Sequence, residues 1–126
     1  MLNYFEKREG YIYARYEDTH INLDGVVGWV SEFLESPDFF QSTPVLWDAL
    51  KITQTDLSFA DMHSFGDFIF ENRERRGSGR SAFVTDNDLL FGLFRTHEML
   101  NEGKYDYDYH VFRDFASAQQ WVTGQS

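Results

Sequence analysis

The spacing of apolar positions predicts strands that alternate with helices along most of the chain. Residues 11–16 are rich in residues that favour strands, and residues 45–47 form an apolar run without alternation, as in a strand covered on both faces. Apolar residues from Leu23 to Leu34 recur at intervals of three and four, which indicates an amphipathic helix. Further strands are predicted at 81–85 and 109–112, and further helices at 59–75, 92–100 and 115–122.

The predicted order is β(β)αβαβαβα, in which the bracketed strand is a short extended piece around residues 20–21. Strands that alternate with helices favour an α/β domain with a mostly parallel sheet. No repeat, low-complexity segment or linker divides the sequence, so we expect residues 1–126 to form a single domain with its core at about residues 11–122.

Composition and charge narrow the classes of function. The chain has 21 acidic and 11 basic residues, and its formal net charge of −10 disfavours nucleic acids and anionic membranes as partners. The absence of cysteine excludes disulfides, thiolate catalysis and cysteine-ligated metals. The first residues do not resemble a signal peptide and no stretch is long enough for membrane insertion, so we expect a cytoplasmic protein.

Polar residues follow the predicted strand at 45–47. Asp48 ends this strand, and Asp56 and Ser58 precede the next helix. In open α/β sheets, ligands and partners usually bind at the carboxyl ends of the strands. Arg95, which the sequence places at a strand–helix junction, is expected either to reach this edge or to form a surface ion pair. Ser58 has a full structural explanation as a helix N-cap, Asp48 can cap a loop, and Asp56 can simply precede the helix cap.

Three tyrosines alternate with two aspartates near the end of the chain. Tyr105, Tyr107 and Tyr109 flank Asp106 and Asp108, so an extended backbone would place the tyrosines on one side and the aspartates on the other. This pattern suits either a segment packed on the domain or an exposed aromatic and acidic recognition surface, because tyrosine is enriched at interfaces. Both alternatives remain open.

An arginine-rich segment precedes the predicted strand at 81–85. Residues 73–80 read Arg-Glu-Arg-Arg-Gly-Ser-Gly-Arg and hold four of the eleven basic residues. A phosphate-binding loop opens a helix, whereas this segment leaves a helix and enters a strand. The sequence therefore favours helix termination followed by a solvated turn, with an anion or partner contact as the alternative.

The sequence contains no evident catalytic or metal-binding constellation. His20, His63, His97 and His110 lack the spacing of a zinc-binding helix, and no nucleophile stands in a pattern with a general base. We therefore expect no catalytic residues, no cofactor-binding residues, no metal ligands and no enzymatic activity.

Five segments together carry a resemblance to a known family. They are the helix over residues 23–36, the strand Val45-Leu-Trp-Asp48, the strand Ala82-Phe-Val84, the run Phe91-Gly-Leu-Phe-Arg95, and the final segment 111–122. Their order and spacing resemble the SpoIIAA-like family, bacterial relatives of the STAS domains of anti-sigma-factor antagonists. The resemblance spans about residues 11–122 and implies a SpoIIAA/STAS-like fold, with a four- to five-stranded, mostly parallel sheet and about four helices.

The resemblance also implies a candidate regulatory residue. In the antagonists, a strand that ends in Asp leads to an Asp-Ser-Ser-Gly turn, in which a partner kinase phosphorylates a serine. Asp48 matches the end of the strand, and Ser58 becomes the candidate phosphoacceptor. Leu57 and Phe59 depart from the serine and the glycine of that turn.

The function that the resemblance implies is a non-enzymatic regulatory or protein-interaction domain, with a regulatory kinase or an anti-sigma-like factor as its partner. The alternative is binding of a small apolar or lipid-like ligand, because STAS-like domains resemble the Sec14 type of lipid carrier and the chain has many apolar residues to line a pocket. An unrecognised enzyme comes third. No cofactor is expected, and homodimer formation is left open.

Overall fold

The computed structural model describes residues 3–105 and 107–124, in which seven strands and five helices form an α/β fold. The strands are β1 Tyr4–Arg8, β2 Tyr11–Arg15, β3 His20–Ile21, β4 Val45–Asp48, β5 Gln54–Thr55, β6 Ser81–Val84 and β7 Tyr109–Phe112. The helices are α1 Leu23–Leu34, α2 Phe59–Glu71, α3 Arg73–Arg76, α4 Asp88–Leu100 and α5 Phe115–Val122. None of these helices is long and apolar enough to cross a lipid bilayer.

The main sheet has five strands in the order β1-β2-β4-β6-β7. Only β1 is antiparallel to its neighbour, and the other three strand pairs are parallel. The predicted α/β class with a mostly parallel sheet is therefore confirmed. The structure adds two details to this class. Strand β1 precedes the first predicted strand, and β3 pairs with β5 in a separate parallel ribbon.

The two faces of the main sheet pack against different numbers of helices. One face, with Ile12, Trp47 and Phe83, joins a core built with α1, α2 and α4. The other face, with Leu46 and Val84, packs against α5. The alternation of side chains along each strand separates the two cores, so the larger core lies under three helices.

Side-chain caps set where the helices begin. The side chain of Asn87 accepts a hydrogen bond from the backbone N–H of Leu90 at 3.0 Å, so α4 starts at Asp88. The sequence pattern predicts this helix at 92–100, and that boundary is wrong. The consequence is that Arg95 lies in the second half of a helix and not at a strand–helix junction.

Candidate functional site

At the carboxyl edge of the sheet, Asp48 is already satisfied within the chain. Asp48 is only 8% exposed to solvent. One carboxylate oxygen accepts a hydrogen bond from the hydroxyl of Tyr13 at 2.5 Å, and the other accepts from the backbone N–H of Leu50 at 2.9 Å. Burial and this bond to Asp48 raise the pKa of Tyr13 to about 12. Asp48 therefore holds the end of β4 in place.

Ser58 and Asp56 also have partners within the chain. The Ser58 hydroxyl accepts from the backbone N–H of Asp61 at 3.1 Å, and Asp61 accepts in return from the Ser58 N–H at 3.0 Å. This reciprocal pair is a capping box for α2. Asp56 lies 2.9 Å from Nε2 of His20. Both side chains are exposed, so their structural roles leave them accessible to a partner.

Arg95 is engaged in a surface ion pair on α4. Its guanidinium donates to Glu98 at 2.5 Å, and Glu98 also accepts from the backbone N–H of Val111 at 3.1 Å. Nδ1 of His110 lies 2.9 Å from the same carboxylate. Within the described part of the chain, no hydrogen bond or ion pair joins Arg95 to the aspartates or the serine of the carboxyl edge.

The tyrosines near the end of the chain pack inward. The rings of Tyr105 and Tyr107 stack with centroids 5.3 Å apart, and the ring of Tyr109 meets His97 edge-on at 5.5 Å. All three tyrosines pack against the larger core, whereas Asp108 is exposed. This is the arrangement of a segment packed on the domain and not of an exposed aromatic surface. Asp106 lies outside the described residues.

Two of these tyrosines, Tyr107 and Tyr109, border a cavity inside the larger core. It has a volume of about 40 Å³ and lies between α1, α2, α4 and the strands β4, β6 and β7. Its walls are mainly apolar. They include Val26, Trp29, Val30, Leu34, Trp47, Phe65, Ile69, Phe83 and Phe94, with Asn72, Arg76, Ser81, His97, Tyr107 and Tyr109 as the polar or amphipathic members.

Three buried polar atoms without hydrogen-bond partners belong to residues that line this cavity. They are Nε1 of Trp29, Nη1 of Arg76 and the hydroxyl of Tyr109, and within residues 3–105 and 107–124 no other buried side-chain nitrogen or oxygen lacks a partner. Buried polar groups are almost always paired, because an unpaired one loses its hydration without compensation. Three such atoms from three separate elements therefore mark the cavity as a candidate binding site.

Arg76 is the charged member of the lining. The residue is 5% exposed, and its Nη2 donates to the carbonyl of Gly79 at 2.8 Å and to the hydroxyl of Ser81 at 3.0 Å. Among the described residues it forms no ion pair with a carboxylate. Burial lowers the pKa of Arg76 to about 10, so the side chain remains a cation at neutral pH.

The turn after α3 explains why this arginine is directed inward. Gly77 ends α3 with a φ of 78°, a conformation that glycine adopts without a steric penalty. A Cβ at Gly79 would overlap the backbone carbonyl of Ser42. The turn therefore packs closely on the segment before β4 and returns the chain to β6, where Ser81 meets the Arg76 guanidinium. The sequence analysis favoured a solvated end of a helix here and did not identify Arg76 as buried.

His97 adds a neutral imidazole to the cavity wall. It is 3% exposed, and burial lowers its pKa to about 4. The side-chain amide of Asn101 donates to Nδ1 of His97 at 3.1 Å, which leaves the ring proton on Nε2. Burial also raises the pKa of Tyr107 to about 12 and raises the pKa of Tyr109 well above its usual value, so both hydroxyls keep their protons at neutral pH.

The structure offers no evident metal site within the residues that it describes. In that part of the chain, no group of three His, Asp or Glu side chains is placed to hold a metal ion.

The lining of the cavity is rich in hydrogen-bond donors. Arginine and the tryptophan indole can only donate, and protonated tyrosine donates as well as accepts. The arrangement is therefore suited to binding a molecule that accepts hydrogen bonds.

Comparison with known proteins supports the fold. No family model matches the chain. No curated protein matches it either. Among solved structures, the chain is similar to an uncharacterized protein of the DUF3478 family from Shewanella loihica PV-4, which is described as having a SpoIIAA-like fold. The two structures have a TM-score of 0.56 and 13% sequence identity, and the match covers 95% of this chain and 91% of that chain.

The chain therefore has a SpoIIAA-like fold. This finding confirms the fold class and the resemblance that the sequence pattern indicated. At 13% identity the likeness concerns the fold alone, and the crystal structure it rests on is of a protein that is itself uncharacterized.

Proposed function

We propose that this SpoIIAA-like domain binds a small molecule in the cavity under α1, α2 and α4, and that it does so without catalysis. The observation that supports the proposal is that three residues lining one cavity, Trp29, Arg76 and Tyr109, each carry a buried polar atom without a hydrogen-bond partner. An unpaired buried group costs about 1–3 kcal/mol, and a bound molecule with hydrogen-bonding atoms would recover much of this cost.

The cavity volume limits the size of the ligand. A volume of about 40 Å³ is enough for a few water molecules or a molecule of a few non-hydrogen atoms. Sites for larger organic ligands are usually about 300–1,000 Å³. A lipid-like ligand, which the sequence analysis considered, would therefore need the wall side chains to move apart, whereas a short molecule fits the cavity as it stands.

The ligand is best sought with probes of matching size. We would measure the melting temperature and the NMR position of the Trp29 indole N–H in the presence of short-chain alcohols, amides and carboxylates. A ligand that binds the folded state raises the melting temperature in proportion to its saturation. Native mass spectrometry of the freshly purified protein would show whether a small molecule is retained.

A matched pair of variants makes this test specific. Val30→Ile adds a methyl group to a cavity wall, whereas Val27→Ile adds the same group on the same helix outside the cavity lining. Val30→Ile should reduce the effect of the probes, and Val27→Ile should preserve it. If none of the probes moves the Trp29 signal and no mass is retained, the cavity holds only water and the proposal fails.

A second candidate function is the regulatory interaction of the anti-sigma-factor antagonists, with Ser58 as the phosphoacceptor. Two observations favour it. Ser58 is exposed at the start of a 13-residue helix, and a phosphate is electrostatically favoured at that position. Its neighbour Phe59 is 64% exposed, which offers an apolar contact to a partner.

The phosphorylation proposal has a direct measurement. Intact-mass and peptide mass spectrometry of the protein from its source cells should show a phosphate on Ser58, and a Ser58→Ala variant expressed in the same cells should lack it. If the phosphate is absent from Ser58 in the native protein, the likeness to the antagonists is restricted to the fold.

A further inference from the structure

The unpartnered atoms of the cavity indicate which polarity the ligand must have. Nε1 of Trp29 and Nη1 of Arg76 can only donate hydrogen bonds, and the hydroxyl of Tyr109 keeps its proton and can donate as well. A partner for all three must therefore be an acceptor. A hydrocarbon would leave every one of these donors unpaired.

The charge of Arg76 restricts the ligand further. Within residues 3–105 and 107–124, no carboxylate pairs with this guanidinium, although the chain carries 21 acidic residues. The Nη2 nitrogen contacts neutral acceptors only, namely two backbone carbonyls and the hydroxyl of Ser81. A buried cation without a counter-ion is destabilising, and an anion bound in the cavity would supply that counter-ion.

The guanidinium is held in a fixed orientation. Its central carbon lies 5.0 Å from the ring centroid of Tyr107 and 5.4 Å from that of Phe33. Together with the hydrogen bonds of Nη2, these contacts restrict the rotation of the side chain and leave Nη1 as the free nitrogen. The free Nη1 of a guanidinium held in this way can donate a charge-assisted hydrogen bond to a carboxylate oxygen.

The walls and the volume select among anions. Most of the lining is apolar, with Val26, Val30 and Phe94 as examples. A phosphate or a sulfate would direct several charged oxygens at such a surface and leave them without donors, at a high cost. A short carboxylate has one charged end for Arg76 and an apolar end for the wall, and a chain of a few carbons suits a cavity of about 40 Å³.

We infer that the cavity is a binding site for a short monocarboxylate anion, with Nη1 of Arg76 as its charged anchor and the Tyr109 hydroxyl and Trp29 indole N–H as further donors. This inference rests on the proposed function, since it names the ligand class of the same cavity.

The test compares a charged probe with a neutral one of the same shape. Acetate, propionate and butyrate are titrated at constant ionic strength with sodium chloride as the balance, beside acetamide, propionamide and butyramide. The readouts are the Trp29 indole resonance and the melting temperature. The carboxylates should bind at least about tenfold more tightly than the amides, because a hydrogen bond between two charged groups is stronger than one between a charged group and a neutral one.

Variants of the anchor provide the second arm. Tyr109→Phe removes only an unpartnered hydroxyl, so the protein should fold and bind carboxylates about tenfold more weakly. Arg76→Met should abolish the preference for carboxylates over amides. Arg73→Met is the matched control, because Arg73 belongs to the same short helix and is not part of the cavity lining, and it should bind as the wild type does.

Each result separates the two proposals. If amides and carboxylates bind equally well, the site binds small molecules but the inference about an anion is overturned. If neither class moves the Trp29 resonance, both the inference and the proposed function fail. Asp106→Asn should leave carboxylate affinity unchanged. If acetate binds only to that variant, a carboxylate of the chain itself is the partner of Arg76, and the inference is overturned.

Discussion

At the carboxyl edge of the sheet, the polar groups of Asp48, Asp56 and Ser58 each have a partner within the chain. Around the cavity, Trp29, Arg76 and Tyr109 each have a buried polar atom that lacks a hydrogen-bond partner. The first region attracts attention in the sequence because carboxylates and a serine cluster there, yet its hydrogen bonds serve helix starts and strand ends. The second region is inconspicuous in the sequence and lacks partners in the fold. The proposed binding site therefore rests on unpaired polar atoms and not on the cluster of polar residues at the carboxyl edge.

The largest effect on stability should come from Asp48. Asp48→Ala would leave the Tyr13 hydroxyl and the Leu50 N–H unpaired in a buried region, so we expect the free energy of unfolding to fall by about 3 kcal/mol. Urea denaturation would measure it. A loss below about 1 kcal/mol would show that water replaces both bonds, and the carboxyl edge would then be less well paired than the structure indicates.

A pH dependence should come from the cavity. Because the pKa of His97 is about 4 in the folded state against 6.5 for a free histidine, the unfolded state binds more protons between these values. This contribution to stability is complete above pH 6.5 and is lost as the pH falls towards 4, with about 2 kcal/mol lost by about pH 4.5.

The His97 contribution can be isolated with two variants. His97→Gln should flatten the curve of unfolding free energy against pH in this range relative to the wild type. His63→Gln, which changes an exposed histidine on α2, should leave the curve as it is. Equal curves for wild type and His97→Gln would mean that the imidazole is solvated and that the cavity is open to water.

The same substitution at two tyrosines compares the regions directly. Tyr13→Phe removes a hydroxyl that donates to Asp48, and we expect it to cost about 1–2 kcal/mol. Tyr109→Phe removes a buried hydroxyl without a partner, so the unliganded protein should keep or slightly gain stability. Thermal and urea denaturation of the two variants in parallel would measure the difference between their stabilities. Equal losses of stability would show that the two hydroxyls are equally well paired, and the contrast between the regions would be wrong.

The smallest effects should come from the exposed part of the carboxyl edge. Ser58→Ala removes the cap of α2 and should cost about 1 kcal/mol. Asp56→Ala breaks an exposed pair with His20 and should cost less than about 0.5 kcal/mol. Chemical denaturation with circular dichroism resolves the order of the two. A larger cost for Asp56→Ala would indicate a structural role that its 78% side-chain exposure does not suggest.

The sequence alone predicted the features that depend on local pattern. The helix at Leu23–Leu34, the Ser58 cap and the strand that ends at Asp48 follow from spacing and capping within a few residues. The start of α4 was misjudged because residues 86–88 resemble a turn, and Asn87 within that turn is the cap of a helix.

The candidate site could not be predicted from local pattern. Trp29, Arg76 and Tyr109 are far apart in the chain, and they meet only after α1, α3 and β7 pack together. In the sequence, Arg76 is one of three arginines before a glycine, which is the usual composition of the end of a helix. Its burial is determined by the close packing of the following turn against Ser42, which is a non-local contact.

The two glycines of that turn offer a practical way to search for related proteins. Because Gly77 needs its positive φ and Gly79 has no room for a side chain, the pattern Arg-Gly-X-Gly that ends one residue before a strand combines the inward arginine with the turn that directs it. In distant chains, where overall identity is too low to align, this short signature together with a tryptophan on the first helix would single out those that have kept the charged pocket.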